Sequence, residues 1–186
     1  MAGVIAFAAA GGCSSAQQPS AAAAPAPSVP ANAADAKFMS DMIRHHAQAV
    51  VMAQWAPSRG ASAALLRLCE RILVAQTDEI AFMKHWLNDR KLPIPDSAAH
   101  HHELMPGMLT TEQLRTLDAA RGPEFDRLFL TFMIQHHEGA LTMVEQLFNT
   151  SGGAQDPIVF KFAADVSADQ TAEIDRMSAL LGTMSQ

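Results

Sequence analysis

The chain has 186 residues with 13 Lys and Arg against 19 Asp and Glu, a net charge of -6 and no Tyr. An acidic chain without a basic stripe has nothing to meet a phosphate backbone, which excludes a nucleic-acid partner. A composition that is 49% hydrophobic but only 6% aromatic favours helix over sheet, and the length allows one domain with a sizeable core plus a tail.

Residues 1–13 form a short apolar run ending Ala10-Gly11-Gly12-Cys13. It falls short of the roughly 20 apolar residues of a membrane span. Small residues before a Cys resemble the end of a bacterial lipoprotein signal, although no Lys or Arg stands at its start. The expectation is an exported protein of the cell envelope, lipidated at Cys13 and held to the membrane by a lipid anchor. Residues 14–34 are mostly Ala, Pro, Ser and Gln, bury too little to offset their ordering entropy, and read as a flexible tether. A folded domain is expected over 35–184, with Asp35 as N-cap. Once Cys13 is given to lipid, only Cys69 remains, so no disulfide framework is available. Among Leu65, Leu66, Leu68 and Ile72, Cys69 reads as a small core residue.

Over residues 35–56, Phe38, Met42, His45, Ala49 and Met52 make one stripe at helical spacing, and Met39, Ile43, His46, Val50 and Ala53 make the stripe beside it. Pro57 to Gly60 ends that helix. A second helix is expected over 61–90, with Leu65, Leu68 or Cys69, Ile72, Gln76, Glu79 or Ile80, Met83 and Leu87 inward, stopped by Pro93 and Pro95. The connector over 91–110 is long enough to be functional or mobile. Thr110 and Gln113 fit a capping box that opens a short helix. A third long helix starts at Pro123 and runs to Asn149, with Phe129, Met133, His136, Ala140 and Met143 on one stripe and Leu130, Ile134, His137, Leu141 and Val144 on the other. Asp156 and Pro157 open the last helix.

The chain contains one unit twice. Met42-Ile43-x-His45-His46 and Met52 match Met133-Ile134-x-His136-His137 and Met143, while Asp35 and Phe38 match Asp126 and Phe129. Gln76-Thr77-x-Glu79-Ile80 and Met83 match Gln170-Thr171-x-Glu173-Ile174 and Met177, with the offset changing from 91 to 94 residues. A longer second turn is expected to absorb that difference. Two similar helical hairpins, each apolar on one face, predict an all-α four-helix bundle with a long middle crossover.

Four buried imidazoles, His45, His46, His136 and His137, each have two ring nitrogens to satisfy. Two solutions stand side by side: hydrogen bonds to Gln76, Glu79, Gln170 and Glu173, or a metal ion held with Glu79 and Glu173 as direct or outer partners. Met42, Met52, Met83, Met133, Met143 and Met177 accompany the His on core-facing stripes, either as core filling or as ligands. Thioether and imidazole together point to copper, as Cu(I) or Cu(II), ahead of zinc, which more often takes Cys in structural sites. In the connector, His100, His101 and His102 with Met105 and Met108 make a second candidate metal site; the alternative is a solvated loop whose Met pair plugs the bundle. No Glu-x-x-His, no His-Glu-x-x-His and no nucleophile–His–acid pattern occurs, so no enzymatic activity is expected.

The set Phe38, Met42-Ile43-x-His45-His46, Met52, Met105-Pro106-Gly107-Met108, Phe125-Asp126-x-x-Phe129-Leu130, Met133-Ile134-x-His136-His137-Glu138-Gly139-Ala140, Met143 and Gln170, Glu173-Ile174, Met177 resembles the bacterial family called domain of unknown function 305. The resemblance spans about residues 35–184. It implies a ferritin-like bundle, usually exported, with some members linked to copper binding in the cell envelope. Two functional readings follow: a copper-binding lipoprotein that sequesters or hands on metal, and a metal-free structural or interaction module of the cell surface whose His form a buried hydrogen-bond network.

Overall fold

The computed structural model describes residue 3 and residues 32–96 and 104–184; the rest of residues 1–31, with Cys13, and the run His100, His101 and His102 lie outside the described residues. The described residues form helices α1 (Ala33–Trp55), α2 (Ala63–Asp89), α3 (Thr111–Ala119), α4 (Pro123–Asn149) and α5 (Pro157–Thr183), with a 3-10 turn over Ala56–Arg59. No strand occurs among them.

The helix starts follow local chemistry. Ser62 accepts the Leu65 N–H at 3.2 Å at the head of α2, and Thr110 and Gln113 form the reciprocal capping box of α3. Gly122, at φ 56°, turns the chain into Pro123 at the first position of α4. Asp156 caps Ile158 at 2.8 Å and Pro157 opens α5.

Asp35 departs from the expectation. The N-cap of α1 is Asn32, whose side chain accepts the Asp35 N–H at 2.8 Å. The Asp35 carboxylate is instead fully buried and turned to the far end of the chain, where it accepts the N–H of Ala154 at 2.6 Å and of Asp156 at 3.1 Å. A carboxylate spent on two otherwise orphaned backbone donors is not free to cap its own helix.

α1 packs along α2, α4 along α5, and α1 against α4. The connectors over 56–62 and 150–156 are equal in length, and Gly60 (φ 69°) and Ala154 (φ 55°) occupy matched left-handed positions in them. The three extra residues of the second repeat therefore lie in α4, which runs further past its His pair than α1 does, and not in the turn.

The core falls into two apolar clusters on either side of the His. One holds Met52, Met133 and Met177; the other holds Met42, Met143 and Met83. Exchanging each Met for its repeat equivalent converts one cluster into the other, as an approximate two-fold relation between the hairpins requires. Cys69 is buried in the first cluster, and burial first, then Asp126, push its thiol up to about 12. It is an inert core residue. Among the described residues no helix is long and apolar enough to cross a membrane.

Candidate metal centre

The two His stripes meet where α1 crosses α4. His45, His46, His136 and His137 are all fully buried. The rings of His45 and His136 face each other with centroids 3.9 Å apart and planes tilted by 38°, while His46 and His137 stand 6.3 and 6.1 Å from their chain neighbours' rings.

Each ring is tied at Nε2. His46 pairs with Glu79 Oε2 and His137 with Glu173 Oε2, both at 2.7 Å. His45 Nε2–H donates to the carbonyl of Pro106 at 3.0 Å, and His136 Nε2–H donates to the backbone carbonyl of His45 at 3.1 Å. Carbonyls only accept, so the proton of a neutral ring sits on Nε2 and the lone pair on Nδ1. All four Nδ1 atoms are buried and without a hydrogen-bond partner. Burial, and after it the neighbouring imidazoles, hold His45 down to about 3 and His136 well below its usual value. Those two rings are neutral near pH 7, the form in which imidazole ligates a metal.

The expected partners divide. Glu79 and Glu173 meet the imidazoles from the second helix of each hairpin. Gln76 does not: neither of its buried side-chain atoms has a partner, and Oε1 of Gln170 has none. Met42, Met52, Met83, Met133 and Met177 are fully buried and Met143 nearly so, shared between the two clusters above and below the rings. Among the described residues no three His, Cys, Asp and Glu side chains come together as a metal-holding group.

Met105-Pro106-Gly107-Met108, the described part of the connector candidate, is strapped across the His crossing. Gln48 on α1 grips Leu109 twice, donating to its carbonyl at 3.1 Å and accepting its N–H at 2.7 Å. Gln135 on α4 donates to the Gly107 carbonyl at 3.2 Å. Gly107, at φ 73°, lies against Gly139: a Cβ on Gly139 would stand 2.1 Å from the Pro106 carbonyl oxygen. Met105 and Met108 are half-buried on this strap. Sequence alone gives Gln48 and Gln135 no role and places Gly139 only within the family motif, although a signal existed. In the repeat, Gln48 stands opposite Gly139 and Arg44 opposite Gln135, so these are places where the two copies differ beside the shared His.

No curated protein matches the chain. Among solved structures, a DUF305 fragment from Deinococcus radiodurans is 26% identical with a TM-score of 0.74, covering 83% of this chain and 99% of that one. A candidate secreted DUF305 protein from Streptomyces coelicolor is 28% identical with a TM-score of 0.73, covering 82% of this chain and 94% of that one. CopM in a Cu(II)-bound form is 29% identical with a TM-score of 0.67, covering 80% of this chain and 96% of that one; Cu(I)-bound and apo forms are also similar. The model of the family described as domain of unknown function (DUF305) matches residues 35–181, and the chain belongs to that family.

Proposed function

We propose that the protein binds copper for sequestration or transfer in the cell envelope, through the four buried imidazoles and the Met residues beside them. One observation carries the reading: every core His is fastened at Nε2 to a carboxylate or carbonyl, and every Nδ1 is left buried and unpartnered. An unmet buried acceptor costs about 1–3 kcal/mol, and an imidazole oriented by an acceptor on its outer nitrogen is the usual state of a metal ligand. Although no three His, Cys, Asp and Glu side chains are gathered as a metal-holding group among the described residues, the donor set we assign is Nδ1 of His45, His46, His136 and His137, brought together on binding, with thioethers drawn from Met42, Met52, Met83, Met133, Met143 and Met177. Such a soft set favours Cu(I), with Cu(II) and zinc as weaker cargo. Glu79 and Glu173 are outer partners that orient His46 and His137. Copper-bound forms of CopM, at 29% identity, support the choice of metal.

We infer further that the paired hairpins form a ferritin-like four-helix bundle over residues 35–184, with the long crossover between α2 and α4. Residues 1–13 serve as a lipoprotein signal with Cys13 lipidated, and 14–31, up to the Asn32 cap of α1, as the tether that holds the domain off the membrane. The secreted character of the Streptomyces relative supports export. Loss of membrane fractionation on Cys13→Ser would test the anchor.

The copper test is competition of the full chain with Cu(I) and Cu(II) chelators, compared with a variant carrying His→Asn at 45, 46, 136 and 137. Equal affinity in both proteins refutes the core site. A second reading has its own support: every Nε2 is already satisfied within the protein, as a metal-free structural network needs. That reading predicts a melting temperature indifferent to copper and zinc, whereas a ligand at 100 times its Kd adds about 2.7 kcal/mol.

A further inference from the structure

We infer that the strap over residues 105–109 makes the two halves of the centre unequal, with Gln48, Gln135 and Gly139 acting as positioning residues that fix His45 alone in its Nδ1-acceptor form. The inference rests on the metal reading and deepens it by assigning control of one ring.

The hairpins are related by repeat, so His45 and His136 would be expected to hold equivalent partners. They do not. His136 donates to a backbone carbonyl inside α1, at His45 itself, while His45 donates to Pro106, a residue outside the repeat. The difference traces to the positions where the copies diverge. Gln48, rather than a second glycine, supplies the two-point amide grip on Leu109. Gly139, rather than a second glutamine, leaves the space into which the Pro106 carbonyl descends, with a Cβ there only 2.1 Å from that oxygen. Gln135, where the first copy has Arg44, holds the Gly107 carbonyl.

The chemical consequence follows from the acceptor. While Pro106 holds the Nε2 proton, the His45 lone pair stays at Nδ1 beside the His136 ring, 3.9 Å away between centroids. Without that carbonyl, His45 has no described partner at either nitrogen and nothing selects its tautomer. His136 keeps its helix carbonyl in either case. One ring is therefore set by the rigid helix crossing and the other by a removable strap.

Gly139→Ala tests this without altering an imidazole or a thioether, because the added methyl must lift the Pro106 carbonyl. Gln48→Ala, which removes the grip without adding bulk, serves as the second variant if Gly139→Ala does not fold. The full chain, metal-free, is followed by long-range proton–nitrogen NMR of the His rings and then titrated with Ag(I), a soft ion that does not change oxidation state. Wild-type protein should show Nε2–H at both His45 and His136. In the variants His45 should become a mixture of tautomers while His136 is unchanged. The silver concentration that half-shifts the His45 and His136 Nδ1 signals, which report one shared donor set, should rise about tenfold or more, the lower range for loss of an outer partner. A parallel Met105→Leu/Met108→Leu protein, whose strap backbone is intact, should behave as wild type.

An unchanged His45 tautomer in both variants overturns the inference. A His136 tautomer disturbed as much as that of His45 overturns it too, as does a loss confined to the Met105→Leu/Met108→Leu protein, which would make the strap a thioether donor. Wild-type protein that ignores silver refutes the metal reading instead, and the tautomer comparison still decides the role of the strap.

Discussion

Asp35 accepts the backbone N–H of Asp156 at 3.1 Å, joining the first helix of one hairpin to the N-cap of the second helix of the other. The repeat returns the favour: Asp126, the equivalent of Asp35, accepts the N–H of Ser62, the N-cap of α2, at 3.1 and 3.2 Å through its two oxygens. Both carboxylates are buried. The hairpins are thus locked by a reciprocal pair of clasps, one at each end of the bundle.

Breaking a clasp removes the charged acceptor of the part-buried Ala154 N–H and buried Asp156 N–H in one case, and of the part-buried Ser62 bond in the other. Asp35→Ala and Asp126→Ala should each lose roughly 2–4 kcal/mol, given the cost of unmet buried groups and the strength of bonds to a charged acceptor. Asp35→Asn, which keeps one acceptor oxygen, should lose less. Urea unfolding of the three proteins measures this, and a loss under about 0.5 kcal/mol in both Ala variants, the scale of an ordinary surface change, would rule the clasps out as stabilising elements.

The fold was legible where the signal is local. The two stripes through His45 and His46 and their copies through His136 and His137 recur at helical spacing, and they marked both the helices and the buried faces. Asp35 misled because an Asp ahead of an apolar-periodic run is also the local signature of an N-cap, while its true partners, Ala154 and Asp156, lie about 120 residues away. Nothing local distinguishes the two uses. The seat of the strap is hidden for the same reason. Met105-Pro106-Gly107-Met108 stands out as a motif, but its seat on the Gly139 backbone and the His45 ring joins residues far apart in sequence. Glu79 and Glu173 were found because the repeat itself paired them with the His.

The Glu–His pairs offer a symmetric test. Glu79→Leu should leave His46 without its Nε2 partner and Glu173→Leu should do the same to His137. Each should lower copper affinity about 10–100-fold, the range for loss of a group that orients a ligating His. Glu79→Gln, whose amide oxygen still accepts, should recover part of it. Chelator competition reads the effect; affinities equal to wild type in both Leu variants would show that neither carboxylate serves the site.

The Met residues can be separated into ligands and filling by a swap that keeps volume. Met→Leu in a core costs under about 1.5 kcal/mol but removes the soft donor. Changing Met42, Met133, Met52 and Met143 together should weaken Cu(I) binding far more than Cu(II) binding, because thioether prefers the reduced ion. A Cu(I) affinity that stays within about twofold, or some 0.4 kcal/mol at the usual 1.4 kcal/mol per decade, would return these four to the role of core packing.

The neutral rings give the metal-free protein a defined response to acid. In the folded state His45 is held down to about 3 and His136 well below 6.5, by burial first and by the neighbouring rings second. In the unfolded chain both titrate near 6.5. Between those limits the unfolded chain carries protons that the folded chain refuses, so stability rises with pH and falls as the pH drops below about 6.5. Each ring contributes a slope of about 1.4 kcal/mol per pH unit in that window, levelling off for His45 below its folded value. The urea midpoint should hold steady from pH 8 to 7 and descend between pH 6.5 and 5. His136→Gln, which removes one of the two depressed groups, should roughly halve the slope. A wild-type midpoint identical at pH 7.5 and 5.0 would mean that the two facing rings take up protons without opening the fold, and the picture of a neutral, ligand-ready pair would have to be abandoned.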